Sequence, residues 1–436
     1  MYLIFPACAT EEAIADDQTV HNQRVQPPAT RVLRIISRLN VGGPAKHVLA
    51  LHQGLTANGF ESLLVTGTVA PGEADMAGDA LALGVTPLVI PEMGRELALR
   101  DALIVWRLWR LMVAFHPDFV HTHTSKAGAL GRVAGLLYRF GTPGTLVGRP
   151  RRCLFVHTYH GHIFHSYFGA LRTRLFLGID RILARVNTDR IVVLGPQQLR
   201  EILDRFGVGR SSQFAIVPLG IDFAPLAADA AMRERVRSAL GFDRAEPIVG
   251  IVARLTAIKN HELFLRVAAR SGGPARFVVY GDGPDRQRLE RRATELGLGR
   301  RVVFAGLWKP EEIYASLDVA ALTSRNEGTP LSLIEAMATG KPVISTAVGG
   351  VVDLLGQPEE RVVTDAGSFE IRERGIAVAP DDEAGFAAGL TRLLADEPLR
   401  LRLAGRARAY VERSHTESRL VADIMRLYRE VAAQAS

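Results

Sequence analysis

Two glutamates, two cations and a glycine pair are the residues of this 436-residue chain whose types and spacing could do chemistry together. Glu327 and Glu335 lie in the run SRNEGTPLSLIEA, the first beside Gly328 in a loop, the second about a turn and a half inside the helix that follows. A carboxylate accepts through two oxygens and so suits the vicinal hydroxyls of a ribose or a hexose. Arg254 and Lys259 stand five residues apart in ARLTAIKN, after an apolar run. A planar fork and a point charge at a strand end suit a diphosphate. Gly349 and Gly350 fall where a strand gives way to a helix, where bare backbone N–H groups favour a phosphate. The alternative for each is ordinary: acidic residues near a helix start and surface cations are both common.

These residues need elements to hold them. Val319–Leu322 and Val343–Ile344 are short apolar runs expected of buried parallel strands. Between them Thr329 is expected to cap a helix, Pro330 to take its first position, and Gly340 to end it in the left-handed conformation. Upstream, VLRIIS (32–37), SLLV (62–65), LVI (88–90) and FVHTH (119–123) alternate with helical patterns, as do IVGIVA (248–253), FVVY (277–280) and VVFAG (302–306). Such β-α alternation argues for α/β architecture with parallel, Rossmann-like sheets, whose ligands collect at the carboxyl ends of the strands.

The stretch holding Glu327 and Glu335 resembles the donor-site signature of the retaining, nucleotide-sugar-dependent glycosyltransferases of family 4, also called group 1. The likeness runs from about Val32 to Tyr428, with several motifs in the family's order. It implies a GT-B fold, two Rossmann-like domains facing a cleft. It also implies that Gly42 and Gly43 pass close to donor phosphates or acceptor, and that His160, in HTYHGH, lies near the transferred sugar. Gly306 and Leu307 would border the nucleobase, with Trp308 as a neighbour or a structural residue. The implied donor set is completed by Gly281, Gly328, Thr329, Pro330, Leu331, Glu335, Gly349, Gly350 and Val351, and the implied catalytic set is His160, Arg254, Lys259 and Glu327. The family's hinge carries Asn after Pro; here Leu219 follows Pro218, which puts a side-chain role there in doubt.

The expected layout is a disordered leader over 1–30, an acceptor-side domain over 31–222, a donor domain over 223–415, and a helix over 416–436 that returns to the first domain. The expected reaction is transfer of a hexosyl unit from a nucleoside diphosphate sugar, with uridine diphosphate the expected nucleotide, to a lipid-linked or small glycan acceptor. The donor is a substrate, so no cofactor is expected. A nucleotide-sugar 2-epimerase, or an inactive sugar-nucleotide-binding module, shares the architecture and stays open as an alternative. No metal is expected, because His121 and His123 find no third ligand at a suitable spacing. His157 and His162 read as structural.

Charge bounds the partners. Arginine and lysine exceed acidic residues by 53 to 46, a net charge of +7. That suits acidic substrates or an anionic membrane; nucleic acid is the weakest option, since no basic-aromatic platform appears. Phe168, Leu171, Leu175, Ile179, Ile182 and Val186 recur at helical spacing beside Arg174, Arg181 and Arg185, following a loop with Arg149, Arg151 and Arg152. Either this helix packs on its own domain, or it lies on anionic lipid. Cys8 and Cys153 alone give no disulfide framework, which with the short N-terminal apolar run leads to an expected cytoplasmic location, peripheral on the inner face of the membrane.

Overall fold

A computed structural model describes residues 29–69, 75–94, 100–161, 170–227, 229–365 and 367–435. Residues 1–28 of the expected leader, Cys8 among them, and His162 and Phe168 therefore lie outside the described residues.

Two sheets organise the chain. The first holds β1 (Arg31–Ile36), β2 (Glu61–Thr66), β3 (Leu88–Val89), β4 (Phe119–His123), β5 (Leu154–Thr158), β6 (Arg190–Val193) and β7 (Phe214–Ile216), all parallel, in the order β3-β2-β1-β4-β5-β6-β7. The second holds β8 (Ile248–Val252), β9 (Arg276–Tyr280), β10 (Val302–Gly306), β11 (Val319–Leu322), β12 (Val343–Thr346), β13 (Pro358–Thr364), β14 (Gly367–Arg372) and β15 (Gly375–Val378). Its order is β10-β9-β8-β11-β12-β15-β14-β13, parallel except where β14 runs against both β13 and β15. The strand order reverses beside β1 and again beside β8, the switch points at which doubly wound sheets open a crevice.

The strands form because their runs of Val, Ile, Leu and Phe can be covered on both faces. In the first sheet, Val32, Phe119, Val156, Val192 and Val217 are closed over by Leu420, Ile424, Leu427 and Tyr428 of the last helix, Glu417–Ala435. That helix begins after the second sheet and packs across the first, so the chain crosses between domains twice. The crossings run side by side: the Ile221 N–H donates to His415 O, and the Glu417 N–H donates to Ile221 O.

One local expectation needs correction, one open alternative is narrowed, and two strands are added. Pro330, with ψ 112°, is extended and occupies the N-cap, so the helix starts one residue later, at Leu331, and Thr329 lies outside it. The helix Ala170–Val186 buries Asp180, Leu183 and Ala184, not its apolar stripe; Leu175, Ile182 and Val186 are 59%, 63% and 55% exposed. The reason is a polar anchor. Asp180 accepts from Tyr159 Oη at 2.5 Å and pairs with Arg132, which turns the stripe outward. The long strands β13 and β14 also have no counterpart in the apolar-run reading.

Ile424 is fully buried under the first sheet but belongs to the chain's last segment. Ile424→Ala is expected to cost about 2–5 kcal/mol. The measurement is the urea midpoint, and a change below about 1 kcal/mol would show that the last helix contributes little to that core.

Candidate active site

The site gathers at the carboxyl ends of β1, β4, β5, β8, β11 and β12. On the second domain, β11 delivers the loop Thr323–Pro330, pinned from below by hydroxyls. Thr323 Oγ1 donates to Asn260 O at 3.0 Å, and Thr346 Oγ1 to Ser324 O at 2.6 Å. Glu327 is buried in this loop, where its Oε1 accepts from Lys259 Nζ at 2.6 Å and Ser324 Oγ at 2.5 Å. A carboxylate out of water needs such partners, and a cation supplies the strongest.

Glycines allow three loops to converge there. Gly349 has φ 47°, and a Cβ on it would lie 1.8 Å from Glu327 O; one on Gly350 would lie 2.1 Å from Gly328 O. A Cβ on Gly328 would in turn lie 2.6 Å from His160 O, across the cleft. This contact corrects the expectation of bare amides: Gly350 N–H donates to Gly328 O at 2.8 Å and Val351 N–H to Val348 O at 3.1 Å, while the Gly349 amide has no such partner among the described residues. Close approach of the Glu327–Gly328 loop satisfies the Gly350 amide and the helical turn satisfies that of Val351. Gly281, at φ 128°, works similarly, holding β9 against Ala253 and so seating Arg254, which is exposed and has no ion pair among the described residues. Gly306 takes φ 77° and leaves Leu307 71% exposed, whereas Trp308 donates to Ala305 O at 3.0 Å and packs edge-on to Tyr280, a structural residue.

Glu335 ties the domains together. Its Oε1 accepts from Lys46 Nζ at 2.9 Å, three residues beyond Gly43 in the helix Gly43–Ala57, and Tyr314 Oη lies 2.8 Å from its Oε2. Gly42 and Gly43 thus open the helix whose first turns reach the donor side. Lys46 and Tyr314 went unnoticed in the sequence. Lys46 had a signal, a cation within the first turns of a helix that follows Gly-Gly; Tyr314 had none, since only the turn of its helix aims the hydroxyl.

His160 caps the first domain's contribution. His123 Nδ1 lies 3.0 Å from its Nε2, His47 meets its ring edge-on, and His121 bridges Tyr428 Oη and Thr158 Oγ1, each at 2.7 Å. Lys126, also at a strand end, is taken up by Asp101 at 2.8 Å. His123 finds two further ligands, though His121 is not among them: His47, His123 and His160 bring ring nitrogens within 4.8 Å of one another, a grouping that could hold a metal ion. The other two rings come from the first helix and the residues after β5, not from the local sequence. Among the described residues, the charged groups that bear on these rings are Arg34 and Arg419. We read the cluster as a neutral hydrogen-bonding array. Burial pushes His160 down to about 3 and holds His47, His121, His123 and His157 well below the usual imidazole range, with Arg34 adding to the effect at His47, His121 and His123.

The fold and the paired carboxylates define a two-domain α/β protein built to clasp a sugar nucleotide. Comparisons with known proteins agree. Residues 41–224 match the family model for Glycosyltransferase Family 4, and residues 232–410 match that for Glycosyl transferases group 1. The 2-deoxystreptamine N-acetyl-D-glucosaminyltransferase of Streptomyces fradiae is 30% identical over 366 residues, covering 78% of this chain and 83% of that one. An Escherichia coli UDP-Gal:alpha-D-GlcNAc-diphosphoundecaprenol alpha-1,3-galactosyltransferase is 29% identical over 284 residues, covering 62% and 69%. Anabaena HepE, solved in complex with UDP and glucose, superposes with a TM-score of 0.75 at 18% identity, over 92% of this chain and all of HepE. The chain belongs to the family 4, group 1 glycosyltransferases, and has the GT-B fold. It is a glycosyltransferase that uses a nucleotide sugar.

The four fully buried histidines make stability pH-dependent. Their folded pKa values lie below the unfolded value of about 6.5, so the unfolded chain binds more protons in acid. Their contribution is complete above about pH 6.5 and falls as pH drops, by about 1 kcal/mol per histidine at pH 5.5. The urea midpoint is expected to fall between about pH 7.5 and 5.5, and less steeply in His121→Gln; a midpoint flat over that range would mean the rings take up protons in the fold.

Proposed function

We propose that the protein is a retaining hexosyltransferase that moves a sugar from a uridine diphosphate donor to an acceptor without a bound metal. The observation that carries this reading is the pair of buried carboxylates facing one cleft, Glu327 held by Lys259 and Glu335 held by Lys46 and Tyr314. Glu335 is suited to the ribose hydroxyls and Glu327 to the sugar ring. Arg254, Lys259 and the Gly349 amide would stabilise charge as it develops on the leaving diphosphate, the effect that is usually the largest catalytic term. The leaving phosphate would assist attack on the same face, so no residue need act as a nucleophile. His160, kept neutral by burial, can exchange hydrogen bonds with sugar or acceptor hydroxyls without adding charge.

The relatives act on both lipid-linked and small acceptors, as their names state. A lipid-linked glycan is the acceptor we favour, from the outward face of the helix Ala170–Val186. Leu175, Ile182 and Val186 are exposed there beside Arg174, Arg181 and Arg185. The loop 141–152 adds Leu146, 90% exposed, and Val147, with Arg149 and Arg152 also exposed; Arg151 stays over the Tyr138 ring. No helix among the described residues is long and apolar enough to cross a membrane. Peripheral contact with an anionic inner leaflet is therefore the proposed location. Each cation there contributes roughly 1 kcal/mol, screened by salt.

The defining experiment is a thermal-unfolding screen of nucleotide sugars, in which a ligand at 100 times its Kd adds about 2.7 kcal/mol. Uridine diphosphate sugars are expected to protect best; protection by another nucleotide alone would overturn the donor assignment. Lys259→Met is expected to lower kcat/KM by roughly 10- to 100-fold, the value of a charged hydrogen bond, in a folded protein. Unchanged kinetics would remove Lys259 from the diphosphate site. Activity should survive EDTA, and full loss restored by Mg²⁺ would contradict the proposal that Arg254 and Lys259 suffice. Wild type should sediment with anionic vesicles at low salt and the Arg174/Arg181/Arg185→Glu variant should not; if neither sediments, a soluble acceptor becomes the better reading.

A further inference from the structure

A cavity of about 470 Å³ is lined by residues of the second domain, Tyr314, Lys341 and Arg408 among them. Its walls come from three places that matter to the two-domain mechanism. Phe223 and Leu226 follow the first crossing between domains, Arg408 stands on the helix that leads into the second crossing, and Tyr314 lies between the cavity and Glu335. The volume falls in the range of sites for small organic ligands, and the walls mix apolar side chains with charged ones.

Its charged lining is Asp229, Arg233, Lys341, Arg408 and Glu412, three cations to two carboxylates, and Asp229 accepts from the Met232 N–H. Arg233 is occupied, donating to Ala315 O at 3.0 Å and to Asp318 Oδ1 at 2.5 Å. Arg408 pairs with Glu412 at 2.7 Å on the same exposed helix face. Lys341 has no hydrogen-bond or ion-pair partner for its ammonium among the described residues, although it is only partly exposed and lines the cavity. Burial, and then the Arg233 guanidinium, push that ammonium down to about 8. Asp318, itself paired with Arg233 and Arg237, only partly offsets this. A half-buried ammonium with no hydrogen-bonded partner among the described residues is a group that an anion would satisfy, and a compact ammonium is a natural phosphate partner.

We propose that this cavity binds a small organic phosphate, its phosphate on Lys341 and Arg408 and its body on Phe223 and Leu226, and that occupancy tightens donor binding through Tyr314. The coupling path is one residue long. Tyr314 lines the cavity with its ring while its hydroxyl lies 2.8 Å from Glu335 Oε2 and 3.0 Å from Ser332 O. An occupant that braces the ring fixes the hydroxyl, and the hydroxyl fixes the carboxylate proposed to hold the ribose. The binding half of this inference is independent of the donor assignment; the coupling half rests on it.

The experiment is calorimetric, on the full chain, with glycerol 3-phosphate as the probe and lactate at equal ionic strength as the carboxylate control. Glycerol 3-phosphate is expected to bind wild type, and at least about tenfold more weakly to Lys341→Met, the value of losing a charged hydrogen bond. Saturating glycerol 3-phosphate is expected to tighten UDP by about fivefold or more in wild type. In Tyr314→Phe the probe should still bind while the effect on UDP disappears. Equal binding to wild type and Lys341→Met overturns the site, and lactate binding as well as glycerol 3-phosphate overturns the phosphate assignment. Weaker UDP binding, to the same extent in both proteins, means that the probe sits at the diphosphate site instead, and this too overturns the proposal. Coupling that persists in Tyr314→Phe overturns the path. Failure of the donor reading is separable, because it shows as unchanged UDP affinity in Glu335→Gln, whereas the cavity is read from the difference between wild type and Lys341→Met.

Discussion

A carboxylate withdrawn from water must be met by donors, and this requirement shapes the cleft. Glu327 and Glu335 are both buried. Each survives there by drawing in a cation: Lys259 from the loop after β8 in one case, Lys46 from the opposite domain in the other. Breaking one partner from such a pair leaves a buried charge and costs far more than a surface pair would. The pairs therefore fix where the loops lie, and the glycines at 328, 349 and 350 follow from that placement. With Cβ atoms at those positions the loops could not approach closely enough for the pairs to form.

The Lys46–Glu335 pair also spans the two domains. Lys46 is the more exposed member, 37% against 9% for the Glu335 side chain. Tyr314, by contrast, is buried and stays with the helix that carries Glu335. The carboxylate so has one partner within its own domain and one from the other, which makes it a tie between the two.

Much of this was legible in the sequence. The apolar runs became strands because parallel sheets bury both faces, which leaves a continuous signal. Glu327, Glu335, Arg254 and Lys259 were visible because their neighbours in sequence are also their neighbours on one strand end. What was hidden depended on distance or on faces. Strand β13 reads PEERVVT, exposed along most of its length, so no apolar run marks it; β14 buries only alternate residues, Phe369 and Ile371. The facing of the helix Ala170–Val186 stayed open because periodicity shows that an apolar stripe exists, not which way it points, and Asp180 with Arg132 anchors its other side. His47 joined His123 and His160 only through the fold.

The last helix has a further meaning for how the protein is made. The face of the first sheet that bears Val32, Phe119 and Val156 is covered by residues beyond Glu417. Those residues leave the ribosome only after the whole second domain has been synthesised. At roughly 5–20 residues per second, the 200 or so residues between β7 and that helix take about 10–40 s to appear. For that interval the nascent first domain carries a bare apolar sheet face, a natural place for a chaperone to hold. Cotranslational folding of this chain is thus circular, not linear: its first domain is finished last.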